Sequence, residues 1–98
     1  MKIYSENMGS TLCLTLSGRL DTSTAPQLET EIKNSLDGIE KLELDFAGVD
    51  YVSSAGLRVL LSAQKTMQKQ GELVLRNVPD VVMEVLEITG FVDILTIE

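Results

Sequence analysis

The order of elements predicts an α/β domain, β-β-α-β-α-β-α-β, forming one unit over residues 1–98 with a mixed four- to five-stranded sheet packed with amphipathic helices. Three observations lead there. Segments that alternate apolar and polar residues, or run apolar without a break, recur along the chain and read as strands. Between them lie stretches whose apolar residues return at helical spacing. Glycines, and prolines set early in the helical stretches, mark the joints.

Taken in order, Ile3 and Tyr4 begin a short strand, and Asn7-Met8-Gly9-Ser10 folds it back as a hairpin. Leu12, Leu14 and Leu16 alternate with Cys13, Thr15 and Ser17 in a second strand that ends at Gly18. Thr24 and Gln27 have capping-box spacing and Pro26 suits a first turn, so a helix is expected over about 25–36. Its inner face is Ala25, Leu28, Ile32 and Leu36, and Gly38 stops it. Leu42, Leu44 and Phe46 alternate with Lys41, Glu43 and Asp45 as a third strand, followed by a loop from Gly48 to Ser54. Leu57, Leu60, Leu61, Gln64 and Met67, widened by Val59 and Ala63, then make the stripe of a helix over 54–70. Arg58, Ser62, Lys65, Gln68 and Lys69 are its wet face.

Leu73-Val74-Leu75 reads as a central strand covered on both sides. Asn77-Val78-Pro79 opens a last helix, with Val82, Val85, Leu86 and Thr89 inward, Val81 and Ile88 beside them, and Gly90 at its end. Phe91, Ile94 and Leu95 suggest a final edge segment.

Composition narrows the function classes. With 44% apolar and 23% charged residues, and no apolar run near the roughly 20 residues a bilayer demands, a soluble domain without direct membrane insertion is expected. Fifteen acids against eight bases give a net charge of −7. There is no basic stripe of the nucleic-acid kind, Lys65 and Lys69 standing a turn apart as a solvated face, so no nucleic-acid partner is expected. Histidine is absent, Cys13 is alone, and no glycine-rich phosphate loop occurs. Those absences predict no catalytic residues, no cofactor, no metal, and hence no enzyme. Asp45 and Asp50 read as a solvated strand residue and a loop residue, with no third ligand in sight. The lone thiol, and a start at Met1–Glu6 without an export signal, predict the cytoplasm.

Right-handed crossovers place consecutive strands parallel, so the loops Gly18–Thr24, Gly48–Ser54 and Arg76–Pro79 leave one edge of the sheet. Asp21, Ser54 and Asn77 are therefore expected as neighbours. The richest segment is Asp50 to Arg58, where two hydroxyls, Ser53 and Ser54, precede the small Ala55 and Gly56. A hydroxyl there either caps the helix, worth about 1 kcal/mol, or receives a phosphate beside amides that favour anions. Tandem hydroxyls exceed what a cap requires. A glycine in the first turn costs about 1 kcal/mol against alanine, which makes sense where something must approach closely. Asp21 fits a solvated turn, a dipole partner, or a partner or nucleotide-proximal contact beside Ser54.

Gly18-Arg19-Leu20-Asp21, Leu42-Glu43-Leu44-Asp45-Phe46, Val52-Ser53-Ser54-Ala55-Gly56-Leu57, and Asn77-Val78-Pro79 through Thr89-Gly90-Phe91 together resemble the STAS domain of bacterial anti-sigma factor antagonists. The resemblance spans almost the whole chain and keeps the order of elements, implying a STAS-like single domain. It implies partner switching. Such an antagonist binds an anti-sigma factor that is also a serine kinase; the kinase phosphorylates one serine and ends the binding, and a serine/threonine phosphatase restores it. By motif match the acceptor is Ser54, with Ser53 as second choice, and Asp21 matches a loop aspartate of the kinase interface. Ser53, Ala55, Gly56, Arg58 and Asn77 complete the implied partner surface. The sporulation-type antagonist has an aspartate where this chain has Ser53, and a serine where it has Ala55. Related STAS domains also serve as accessory subunits of membrane transport complexes without a phosphorylation cycle, and that alternative stays open.

Overall fold

Leucines at every second position make the second strand insert one face into the core, and that strand organises everything around it. In the computed structural model, which describes residues 1–98, β1 (Lys2–Met8) turns at Gly9-Ser10 and pairs antiparallel with β2 (Thr11–Leu20). There follow α1 (Ala25–Ser35), β3 (Lys41–Val52), α2 (Ser54–Gln68), β4 (Glu72–Arg76), α3 (Asp80–Ile88), a short 3₁₀ turn at Phe91–Asp93 and β5 (Thr96–Ile97). The strands lie in the order β1-β2-β3-β4-β5, the last four parallel. No helix is long and apolar enough to cross a membrane.

Every crossover steps the same way across the sheet. Right-handed connections then put all three helices on one face. Leu12, Leu14 and Leu16 of β2, Leu42, Leu44 and Phe46 of β3, and Leu73 and Leu75 of β4 meet them there in one buried cluster. The opposite face has no helix. Val74 points into it, so the expected burial of β4 on both sides holds, but the second side is covered without a helix. Val74 is fully buried there, flanked by Glu43 and Thr96 in register. Around it Glu43 pairs with Lys41 and Arg76, both at 3.4 Å, and Lys41 reaches Glu72 at 3.9 Å. Long charged side chains cover apolar surface with their stems.

The helices keep their expected places with adjustments at the ends. In α1 the capping box does not form: Thr24 is the N-cap residue without a side-chain cap bond. Its hydroxyl is already engaged, donating to the Arg19 carbonyl at 2.6 Å and accepting from Asp21 N at 2.9 Å. Gln27 instead donates to the Met1 carbonyl at 3.1 Å. In α2, Val59 and Ala63 are buried while Leu61 and Gln64 are half-buried, because α1 packs along the Val59–Ala63 side. In α3 only Val82 and Leu86 are fully buried, Val85 is half-buried and Ile88 is 80% exposed. The left-handed Gly90 (φ 80°) follows its last turn.

The largest departure lies after Phe46. The segment expected as a loop continues β3 to Val52, paired with β2 through two irregularities: Thr15↔Asp45 is followed by Ser17↔Gly48, and Gly18↔Val49 by Arg19↔Tyr51. Each inserts one extra residue in β3, the signature of a β-bulge.

Candidate functional site

The site begins where β2 and β3 end side by side. Ser53 N donates to the Leu20 carbonyl at 2.9 Å, so the pairing runs to the threshold of α2. Ser53 is extended (φ −96°, ψ 175°) and is the N-cap residue. Its Oγ accepts from Gly56 N at 3.4 Å and its carbonyl accepts from Leu57 N at 2.9 Å. Ser54 is the first helical residue, exposed, and its hydroxyl makes no hydrogen bond within the chain. The expectation that Ser54 could cap the helix is thereby corrected: Ser53 does so, because its extended backbone turns Oγ back on the first-turn amides.

Gly56 also takes a different role from the one expected. It is buried, and a Cβ there would stand 2.7 Å from Leu20 Cγ and 3.0 Å from the Leu20 carbonyl oxygen. What approaches this glycine closely is the end of β2, so it is not a surface for a partner. Ala55 is half-buried against the core and Arg58 is exposed one turn beyond Ser54.

Asp21 sits beside this junction as the hub of a turn. Its Oδ1 accepts from the Ser23 amide at 3.0 Å, the Ser23 hydroxyl at 2.8 Å and the Thr24 amide at 3.1 Å. The Ser23 hydroxyl, aided by the Thr24 and Ser23 amides and opposed by desolvation, holds the carboxyl down at about 2. Its other oxygen faces Arg19 Nε at 3.5 Å, and the Arg19 guanidinium lies over the Tyr51 ring, 4.0 Å from its centroid. Arg19 and Tyr51 are partners in the shifted register of the bulged strands. That stack escapes sequence reasoning, because no spacing in the chain announces which residues two bulges bring opposite.

Asn77 is not part of this group. It takes a left-handed conformation (φ 54°) after β4 and donates to Asp45 Oδ2 at 3.1 Å, while Asp45 Oδ1 accepts from Ala47 N at 3.0 Å. Pairing of β3 with β4 ends at Asp45↔Arg76, but β3 runs on to Val52. That is roughly 20 Å of extended chain. No hydrogen bond joins Asn77 to Ser53 or Ser54. The expected neighbourhood of three loops thus divides into Asp21 with Ser53 and Ser54 on one side, and Asn77 with Asp45 on the other.

Fold and site together define a small α/β module with one helical face and a helix start open to solvent. The chain belongs to the STAS domain family, which residues 2–98 match. It is 43% identical to a candidate anti-sigma factor antagonist, BtrV of Bordetella bronchiseptica, over 96% of this chain and 83% of that one. It is 37% identical to the anti-sigma-B factor antagonist of Listeria monocytogenes, over 85% and 75%. Among solved structures, the anti-sigma factor antagonist SpoIIAA in its unphosphorylated form has the same fold, with a TM-score of 0.85 at 18% identity over 99% of this chain and 88% of that one.

Proposed function

We propose that this chain is an anti-sigma factor antagonist of the cytoplasm, switched by phosphorylation of Ser54. It binds an anti-sigma factor that is also a serine kinase. The kinase moves the γ-phosphoryl of ATP to Ser54 Oγ, which loses its proton, and ADP leaves; a serine/threonine phosphatase hydrolyses the ester and resets the chain. The chain is substrate and ligand in this cycle, with no catalytic role.

One observation carries the choice of residue. Of two adjacent serines, Ser53 has its hydroxyl on Gly56 N, whereas the Ser54 hydroxyl is exposed and unbonded. The relatives named as anti-sigma factor antagonists support the role. A phosphate on Ser54 adds about −1.5 to −2 charges at the positive end of α2, so the helix tolerates it while a docked partner meets a new anion. The test is to incubate the chain with the anti-sigma factor kinase of its own organism and ATP, and to map phosphate by mass spectrometry. Label should vanish in Ser54→Ala and persist in Ser53→Ala. Label that survives Ser54→Ala overturns the assignment, and no label together with co-purification of a transport ATPase moves the chain to the accessory role.

A further inference from the structure

The cations of this acidic chain are divided unevenly. Arg19, Lys33, Lys41 and Arg76 each pair with a carboxylate. Of the others, Lys2 lies on β1, and Arg58, Lys65 and Lys69 all belong to α2 or its C-cap, exposed and without an ion pair. No acid occurs between Asp50 and Glu72. Helical spacing then aligns them. Ser54, Arg58, Leu61, Lys65 and Lys69 succeed one another at intervals of three or four residues, so one solvent-facing stripe starts at Ser54 and carries three unpaired positive charges around a half-buried leucine. Glu29 of the neighbouring α1 does not neutralise it, being paired with Lys33 at 3.8 Å.

We infer that this stripe is the docking surface for an acidic patch on a protein partner, and that a phosphate on Ser54 acts by cancelling its charge. The inference rests on the reading of Ser54 as phosphoacceptor and goes further in naming the partner's surface chemistry. A second copy of the chain is a poor occupant, since two chains of net charge −7 repel each other overall and a stripe meeting its own copy adds like charge to like. Polynucleotides and anionic membranes are repelled by that same net charge at long range, whereas a protein with a local acidic patch meets only the stripe. Phosphorylation takes the stripe from three positive charges to about one. It also draws Arg58, one turn from Ser54, into an internal pair with the phosphate.

The test is the association rate and affinity between the full chain and its organism's purified anti-sigma factor kinase, measured by surface plasmon resonance. Raising NaCl from about 50 to about 500 mM should slow association by roughly 10- to 100-fold. Lys65→Glu with Lys69→Glu should weaken low-salt binding by roughly 10-fold or more and flatten that salt dependence. Lys2→Glu, the same kind of charge change off the stripe, should leave both unchanged. If the double reversal does not fold by circular dichroism, Lys65→Gln with Lys69→Gln serves in its place. Equal effects of the stripe and Lys2 variants, or none from either, overturn the inference while leaving Ser54 as acceptor intact. Binding to phosphatidylglycerol vesicles or heparin as tight as to the kinase overturns the choice of a protein partner. No binding to the kinase at any salt overturns the proposed function itself.

Discussion

Removing either serine at the start of α2 should have opposite consequences for folding and for modification. Ser53→Ala deletes the acceptor for Gly56 N and leaves that first-turn amide without a side-chain partner. Cap losses run from about 0.5 to 2 kcal/mol. At 3.4 Å this bond lies beyond the usual donor–acceptor range, so the lower half applies, about 0.5–1 kcal/mol. For a domain of this size that lowers Tm by about 2–8 °C. Ser54→Ala loses no hydrogen bond at an exposed helical position and should stay within about ±0.5 kcal/mol. Ser54→Asp puts a carboxylate against the positive end of the helix and should gain about 0.3–1 kcal/mol.

Urea unfolding followed by far-ultraviolet circular dichroism decides it. The midpoint should fall for Ser53→Ala alone, with the slope unchanged in all variants, since none alters the surface exposed on unfolding. A midpoint lowered as far by Ser54→Ala as by Ser53→Ala would show that the Ser54 hydroxyl is engaged in the fold. The physical basis for preferring Ser54 as acceptor would then be gone.

Gly56→Ala should destabilise by about 1–2 kcal/mol, overpacking against the Leu20 side chain and carbonyl at the upper end of its range, about 2–3 kcal/mol, being offset by about 1 kcal/mol of better helix propensity; an unchanged denaturation midpoint would contradict the close approach. Gly71→Ala should be worse, at or above the roughly 3 kcal/mol end of overpacking costs, because its Cβ would overlap the immovable Glu40 backbone. Asp21, lowered from 3.8 to about 2, contributes stability that is whole above 3.8 and lost as pH falls from there through about 2. Thermal melts of wild type and Asp21→Asn should therefore converge over that window, and a constant difference would count against the turn. Burial first, then the charges of Glu43 and Asp45, push the Cys13 thiol up, so it should react with Ellman's reagent at neutral pH more slowly than a small free thiol.

Most of the fold is legible because its elements are locally consistent. Leu12-Leu14-Leu16 and Leu42-Leu44-Phe46 alternate cleanly, and Leu57, Leu60 and Met67 share a helical stripe whatever packs on it. What escapes is whatever depends on a second segment. The bulges at Phe46-Ala47 and near Asp50 break the two-residue period, so a strand looks like a loop until β2 is laid beside it. Val74 continues an apolar run that suggests two covered faces, and it is covered, but beside it on the helix-free face stand paired charged side chains of β3 and of β4 itself rather than a second layer of helices. Gly56 suggests an open approach, when the approaching group is Leu20 of the same chain.

The site was legible in its residues and illegible in its arrangement. Chain order alone gathers Asp21, Ser54 and Asn77 on one edge, because each follows a parallel strand. The strands do not end level. β4 stops opposite Asp45, whereas β3, lengthened by its two extra residues, carries Ser53 on to the end of β2. The Asp21 turn thus becomes the flank of Ser54, and Asn77 is left bracing Asp45. Charge follows the same logic. In sequence, Lys65 and Lys69 are two lysines on a wet face, the commonest of features. They acquire meaning when four of the other cations are seen to be held by carboxylates, which leaves the stripe running from Ser54 as the one unneutralised positive strip on an acidic molecule. A phosphate placed at its head would change the sign balance of that strip more than anywhere else on the surface, and it would do so without disturbing the fold beneath.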